Sequence, residues 1–532
     1  IDPSLWVGAE GPTEATGADG RTAVSIDQTQ QKAILTWDSF NVGRETDLTF
    51  NQQGADWVVL NRVRDVNPSL IHGSVNAKGT VLILNQNGIL FGGTSQVNVR
   101  NLVAATANIT DSDFLNRGIY SNSSGSGTSL RYLPSFTGAT GAVTVEAGAQ
   151  IATHAPASAT DGGGYVLLMG TQVTNAGTIT TPKGQTLLAG GDDFIIRKGY
   201  GTEENQYSTT RGNEVRGLID EDSASGTVVN RGLIEATQGD ITLAGRTIRQ
   251  DGVAVATTGV NQRGTIHLLN SASDAEGAVT LGSGWELTDA EGKTYAGDGL
   301  TIVLPELDSE DTALDGQRDS LIAQSETANT NRQSTITGGF DDRSTLADRL
   351  DQSRIEIVTG GNVLFEGGSQ TSAQGGQVAV QANNGRITVE DGALIDVSGV
   401  QGVALDMESN SILVNVQGNE LRDASINRDR DPENNKSLLS STDVWLDRRN
   451  LIFVLAGTNG YDSDRWYTAG GLLEVGGYLG IQGHGVGEWM AQGGIVQFKG
   501  NDVITQAGSH INLSGGTLDV QDGYINQSWL RG

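Results

Sequence analysis

Val173-Thr-Asn-Ala-Gly-Thr-Ile179 and Val228-Val-Asn-Arg-Gly-Leu-Ile234 share the pattern V-x-N-x-G-x-I. Each runs through a glycine turn into a second apolar stretch, closing at Leu188-Ala-Gly190 and Leu243-Ala-Gly245. A weaker copy follows from Ile248 to Gly264. A second pattern recurs farther apart, as Val143-Thr-Val-Glu-Ala-Gly-Ala-Gln-Ile151, Ile387-Thr-Val-Glu-Asp-Gly-Ala-Leu-Ile395 and Val503-Ile-Thr-Gln-Ala-Gly-Ser-His-Ile511. Alternation over a few residues, followed by Gly or Asn, predicts short strands joined by tight turns. No helix of ten or more residues separates one strand from the next, which excludes a βαβ sheet. A repeat of roughly twenty residues predicts a coil whose turns pair in parallel, with Val, Ile and Leu stacked inward. The expected fold is all-β: a right-handed parallel β-helix, its hand taken from the usual chirality of parallel crossovers. N-terminal capping strands and lateral loop, hairpin and short helical excursions complete it.

Composition agrees with an elongated stack. The chain has 532 residues, with 74 Gly and 36% hydrophobic residues. About twenty turns at roughly 4.8 Å each give a rod on the order of 100 Å long. Lys and Arg number 34 against 63 Asp and Glu, a formal charge of −29. Such a surface repels nucleic acid and anionic membrane, so neither is an expected partner. There is no Cys. That removes disulfides, thiol catalysis and Cys-ligated metals, and it suits a chain that crosses a membrane unfolded. No apolar run is long enough to span a bilayer as a helix. The start, Ile1-Asp2-Pro3-Ser4, reads as a mature or trimmed product.

The pattern divides the chain into a cap with the first turns (1–135), repeats (136–305), an inserted excursion with helical character (306–353), repeats (354–404), a lateral mixed-β excursion (405–490) and final repeats (491–532). Residues 109–136 read as an excursion or loop, and 197–222 as a loop. The last repeat carries no cap, so the chain is expected to continue into a longer protein.

The N-terminal third carries the most specific signal. Ala33-Ile34-Leu35-Thr36-Trp37-Asp38-Ser39-Phe40-Asn41-Val42-Gly43 resembles the opening signature of the two-partner-secretion domain in filamentous-haemagglutinin-like exoproteins. That family's Asn-Pro-Asn-Leu motif appears as Asn67-Pro68-Ser69-Leu70, and its Asn-Pro-Asn-Gly-Ile motif as Asn85-Gln86-Asn87-Gly88-Ile89. The sequence departs from the family at Ser69 and Gln86. The resemblance implies a large bacterial surface adhesin, active in attachment, aggregation or biofilm. It implies export through a dedicated outer-membrane β-barrel transporter, and a place outside the Gram-negative outer membrane, secreted or at the cell surface. By resemblance, Asn67, Pro68, Leu70, Asn85, Asn87, Gly88 and Ile89 carry export competence. Read from the residues alone, Asn67-Pro68 and Asn87-Gly88 are turns. Ile34, Trp37 and Phe40 form the core of a cap that also buries Trp6 and Trp57.

Catalysis needs convergent groups, and the five His are scattered. His484 and Glu488 stand four apart in a glycine-rich stretch that makes a poor helix, so a zinc role is not expected. Asp192-Asp193 and Asp341-Asp342 are carboxylate candidates for a β-helical polysaccharide lyase or hydrolase, with solvated loops as the plainer reading. No enzyme activity and no cofactor are expected; adventitious calcium is the one ion the charge invites. Tyr461, Trp466 and Tyr467 are candidate glycan contacts, against the plainer reading that they fasten the excursion to the rod. Expected ligands are extracellular polysaccharide or a host-surface molecule. The N-terminal part of a contact-dependent toxin or cytolysin with the same export domain is a further alternative.

Overall fold

The structure is a computed structural model that describes residues 3–17, 20–125, 131–158, 161–198, 212–259, 262–288, 294–307, 323–326, 343–415 and 443–528, apart from 472, 481 and 483. It is a parallel β-helix. Short strands, with turns between them, form one sheet of 13 strands and one of 19 that holds two ladders.

Both sequence patterns lie on the same ladder. Ile89, Val143, Val173, Val228, Ile248, Val279, Val363, Ile387 and Val503 are paired in register, each with the next, in parallel. All but Val503 are buried. A second column on the 13-stranded sheet runs Ile151, Ile179, Ile234, Ala254. Each full burial of a Val or Ile is worth about 1.5–3 kcal/mol before the entropy of ordering the chain is subtracted.

The Asn of V-x-N-x-G-x-I has a structural use at the corner after the strand. Asn175 Nδ2 donates to Asn230 Oδ1 at 2.8 Å, and Asn230 Nδ2 donates to Gln250 Oε1 at 3.0 Å. All three side chains are buried, so this axial ladder satisfies amides that would otherwise be stranded. The following glycine is required by proximity. A Cβ on Gly232 would lie 2.0 Å from Gly177 O in the turn below, and one on Gly252 would lie 2.3 Å from Gly232 O.

At the N-terminal end, Ala9–Thr16 runs antiparallel to Thr22–Gln28 and covers the sheet edge. Trp6, Trp37 and Phe40 close the inner core there, with ring centroids 4.8 Å apart for Trp6–Trp37 and 5.1 Å for Trp37–Phe40. Trp57 is only half-buried, contrary to expectation. It ends the turn before Val58–Val63, outside that strand's inward positions Val59 and Val63.

A second core lies on the outer flank of the rod. Outward residues Leu60, Leu82, Val103, Leu167 and Leu187 pack with Phe114, Phe136, Phe194 and Val215 from the excursions. Residues 109–136, expected to be an excursion or loop, carry a helix at Asp111–Arg117 and a two-residue strand pair. Thr110 caps the helix N-terminus, and Lys32 Nζ donates to Leu115 O at its other end, 2.6 Å away. Residues 197–222 are likewise not a plain loop. Asp193–Lys198 pairs antiparallel with Asn213–Leu218, and alternate Phe194, Ile196 and Val215 face the rod.

Farther along, the same flank becomes polar. Of the 306–353 segment, expected to have helical character, residues 323–326 form one helical turn. Residues 343–353 form an irregular strap. Asp348 accepts from Arg263 at 2.6 and 2.7 Å, and Ser344 and Arg354 donate to Glu356. These groups are almost wholly buried. Residues 308–322 and 327–342, which carry most of that expectation, lie outside the described residues.

The 405–490 segment contains two antiparallel pairs, Ser411–Asn415 with Asp443–Asp447 and Ile452–Val454 with Arg465–Tyr467. They enclose a small core of Ile412, Val414, Val444, Leu473 and Val475. No described helix is long and apolar enough to cross a membrane.

Candidate functional site

The three N-terminal motifs converge on one corner of the first turns. Ser69–Ile71 pairs in parallel with Ile89–Phe91, so Ser69 lies beside Ile89. Asn41 and Val42 close the other side: Asn41 Oδ1 accepts from Leu70 N at 2.8 Å, and Val42 N donates to Leu70 O at 2.9 Å.

Asn85 is the buried tie of this corner. Its Nδ2 donates to Asn67 O and to Ser69 Oγ, both at 3.0 Å, while its Oδ1 accepts from Asn87 N at 3.0 Å. Asn67 is exposed, and its main-chain N and Nδ2 both donate to Asp65 Oδ1 at 3.0 Å. Asn87 is exposed as well and donates through Nδ2 to Asp65 O at 2.7 Å. Asp65 therefore joins the two motifs although no motif includes it. Gly88 has φ 123°, a left-handed conformation that side chains avoid, and a Cβ there would approach Pro68 Cβ to 3.2 Å. Ile89 is buried in the column.

The departures from the family pattern fit their surroundings. Ser69 is buried, and its hydroxyl accepts from Asn85. Gln86 stands where the family has Pro and ties the corner to the neighbouring excursion. Its Nε2 donates to Gly138 O at 2.7 Å, its Oε1 accepts from Asn108 at 3.2 Å, and its main-chain oxygen accepts from Thr140 Oγ1 at 2.6 Å.

The outcome is a rigid interior under a projecting surface. Val66 is 82% exposed and Leu70 38%, with Pro68, Asn67 and Asn87 exposed beside them. Two amides and three apolar groups on a pinned backbone suit recognition by another protein. Val66 carries no motif signal, and only its position before Asn67-Pro68 marks it.

The cap residues divide between two cores. Trp37 and Phe40 are in the inner core, and Trp37 Nε1 donates to buried Asn61 Oδ1 at 3.0 Å. Ile34 stands on the opposite face of the same strand and packs in the outer core. Its backbone pairs with Val7, both hydrogen bonds 2.9 Å long.

The remaining candidates lie apart from this corner. Asp192 accepts from Ser223 Oγ and Asp220 N, each at 2.9 Å. Burial pushes its carboxyl up, but hydrogen bonds from Ser225, Asp220 and Ser223 and the nearby Arg246 charge outweigh it and hold the group below the usual range. Asp193 accepts from Gly138 N at 2.8 Å. Both carboxylates tie loops together. Asp341-Asp342 lies outside the described residues. His484 Nδ1 is 2.6 Å from Glu488 Oε1. Trp466 stacks on Phe453 with centroids 4.8 Å apart and packs against the lateral core, while Tyr467 Oη donates to Tyr461 Oη at 3.1 Å. Phe453 is exposed beside Trp466, so the lateral unit both anchors its rings and shows one of them to solvent.

A family model described as "TPS secretion domain" matches residues 8–292, more than half of the chain. A heme/hemopexin-binding protein of Haemophilus influenzae strain Rd is 29% identical over 222 residues, covering 41% of this chain and 21% of that protein. A second H. influenzae heme/hemopexin-binding protein is 35% identical over 96 residues, covering 18% of this chain and 10% of that protein. The matches thus span about a fifth or less of these relatives' length. Among solved structures, the HMW1 secretion domain from Haemophilus influenzae aligns with TM-score 0.46 and 18% identity, over 75% of this chain and 86% of that one.

Proposed function

Because the chain belongs to the TPS secretion domain family, whose exoproteins leave the cell by two-partner secretion through an outer-membrane transporter, we propose that it is the secretion domain and proximal rod of a large surface adhesin. The Asn67–Leu70 and Asn85–Ile89 corner is the surface its transporter reads. Folding of the capped first turns, and then turn-by-turn stacking on that template, draws the chain outward without ATP, since each added turn buries several aliphatic side chains. The whole protein works without catalysis, holding cells to matrix polysaccharide or to a host-surface ligand.

The observation that carries the export reading is the joining of the motifs by Asn85 into one pinned corner with an exposed rim. The test is expression with and without the partner transporter. The chain is expected in the medium or on the surface only when the transporter is present; equal export without it would overturn the reading.

A competing reading of the distal function is binding of heme or hemopexin, which the relatives' name states for them. Binding to immobilised hemopexin separates the two: saturable capture supports this reading, and its absence supports the adhesin.

A further inference from the structure

We propose a second site, a saccharide-binding groove on the outer face of the 13-stranded sheet that takes a carboxylate-bearing sugar chain of the uronate type. It deepens the ligand-binding half of the proposed function and does not depend on the export route.

The groove is an open trough of about 350 Å³ over the first turns. Its floor follows from strand alternation. Leu48 and Phe50, Val75 and Ala77, and Val97 and Val99 point into the core. Thr49, Asn76 and Asn98 between them therefore point out, in register on consecutive strands. The next residue in that column is Ala152, whose small side chain leaves the groove open toward the following turn. Lys78, just past the strand Ser74–Ala77, and His154, just past Gln150–Thr153, flank it.

Two observations point to a ligand. First, Thr49, Asn76, Asn98, Lys78 and His154 make no side-chain hydrogen bond or ion pair among the described residues. Two amides beside them are tied: Gln52, in the groove's own floor, donates to Gln28 Oε1 at 2.9 Å, and Asn51 at the rim donates to Asp27 at 2.6 Å. Second, no carboxylate lines the groove, although the chain has 63 Asp and Glu against 34 Lys and Arg. A cation-bordered trough in so acidic a molecule is complementary to an anion.

The amide row selects the kind of anion. Asn side chains offer a donor and an acceptor together, which matches neighbouring sugar hydroxyls. Their repeat, roughly 4.8 Å from strand to strand, runs along the rod and suits an extended chain. Lys78 and His154 supply donors to a carboxylate. A neutral sugar leaves Lys78 unused, and a free phosphate leaves the amide row unused.

The test is titration of the purified full chain with trigalacturonate, with maltotriose and with inorganic phosphate at matched ionic strength, read by calorimetry or NMR. Trigalacturonate is expected to bind about tenfold or more tightly than either of the others. Lys78→Ala and the pair Asn76→Ala/Asn98→Ala are each expected to weaken it about tenfold at an unchanged unfolding midpoint. No binding of trigalacturonate, equal binding of maltotriose or phosphate, or an unaffected Lys78→Ala would overturn the proposal. Because these readings use purified protein, they stand or fall separately from export in cells.

Discussion

Asn85 reaches across from one turn to the next and donates to the main-chain oxygen of Asn67 at 3.0 Å. Through that bond, and a second to Ser69, two motifs separated in sequence become one corner. Asn85→Ala should therefore act mainly through stability. It strands Asn67 O and Asn87 N and is expected to cost about 1–3 kcal/mol, read as a lowered urea midpoint. A midpoint matching wild type would show that the bonds are replaced by water.

Gly88→Val tests the left-handed turn. With φ at 123° and Pro68 Cβ only 3.2 Å from the added carbon, the backbone must shift. The expected cost is about 1–3 kcal/mol. Gly118→Ala, whose Cβ would meet nothing within 4 Å, keeps the dihedral strain but not the crowding. It should cost less in the same denaturation assay.

The strap offers a contrast between buried and exposed charge. Asp348→Ala leaves Arg263 and Arg354 short of a buried partner and is expected to cost about 3–5 kcal/mol. Asp502→Ala removes an ion pair to Arg386 whose side chains are more than half exposed, and should change stability by less than about 1 kcal/mol. Similar costs in the two variants would contradict the buried strap.

Much of this molecule is legible in its amino-acid sequence, because inward positions of a solenoid are apolar on every turn. The column from Val143 to Val503 and the Asn175–Asn230 corner are visible as repeats. The outer core is not, since Phe114, Phe136 and Phe194 stand in short apolar stretches that match neither repeat pattern, and their partners alternate with inward residues on the same strands. The strap is hidden for a different reason. Arg354, Glu356 and Asp348 look like surface residues, and only their mutual satisfaction makes burial tolerable. At the motif corner, the turns at Asn67-Pro68 and Asn87-Gly88 are legible, whereas the roles of Asp65, Val66 and Gln86 depend on what folds beside them.

A pH effect follows from Asp47. Bidentate hydrogen bonds from Arg21, at 2.8 and 2.7 Å, hold its carboxyl below the usual range. A lowered folded-state value means that the pair stabilises above the ordinary carboxylate range, and that this contribution fades as pH falls through the folded value. The pair is partly exposed, so Asp47→Asn should lose under about 1 kcal/mol at pH 7. The difference from wild type should shrink toward pH 3. A gap that widens on acidification would refute the assignment.

The most direct measurement is export of Asn87→Ala with the transporter present, beside the unfolding midpoint of the same purified variant. Asn87 is exposed and gives up one surface hydrogen bond to Asp65, so the midpoint should barely move. Secretion should nonetheless fall sharply, with the chain retained inside the cell, if the corner is read by the transporter. Wild-type export at an unchanged midpoint would contradict that claim.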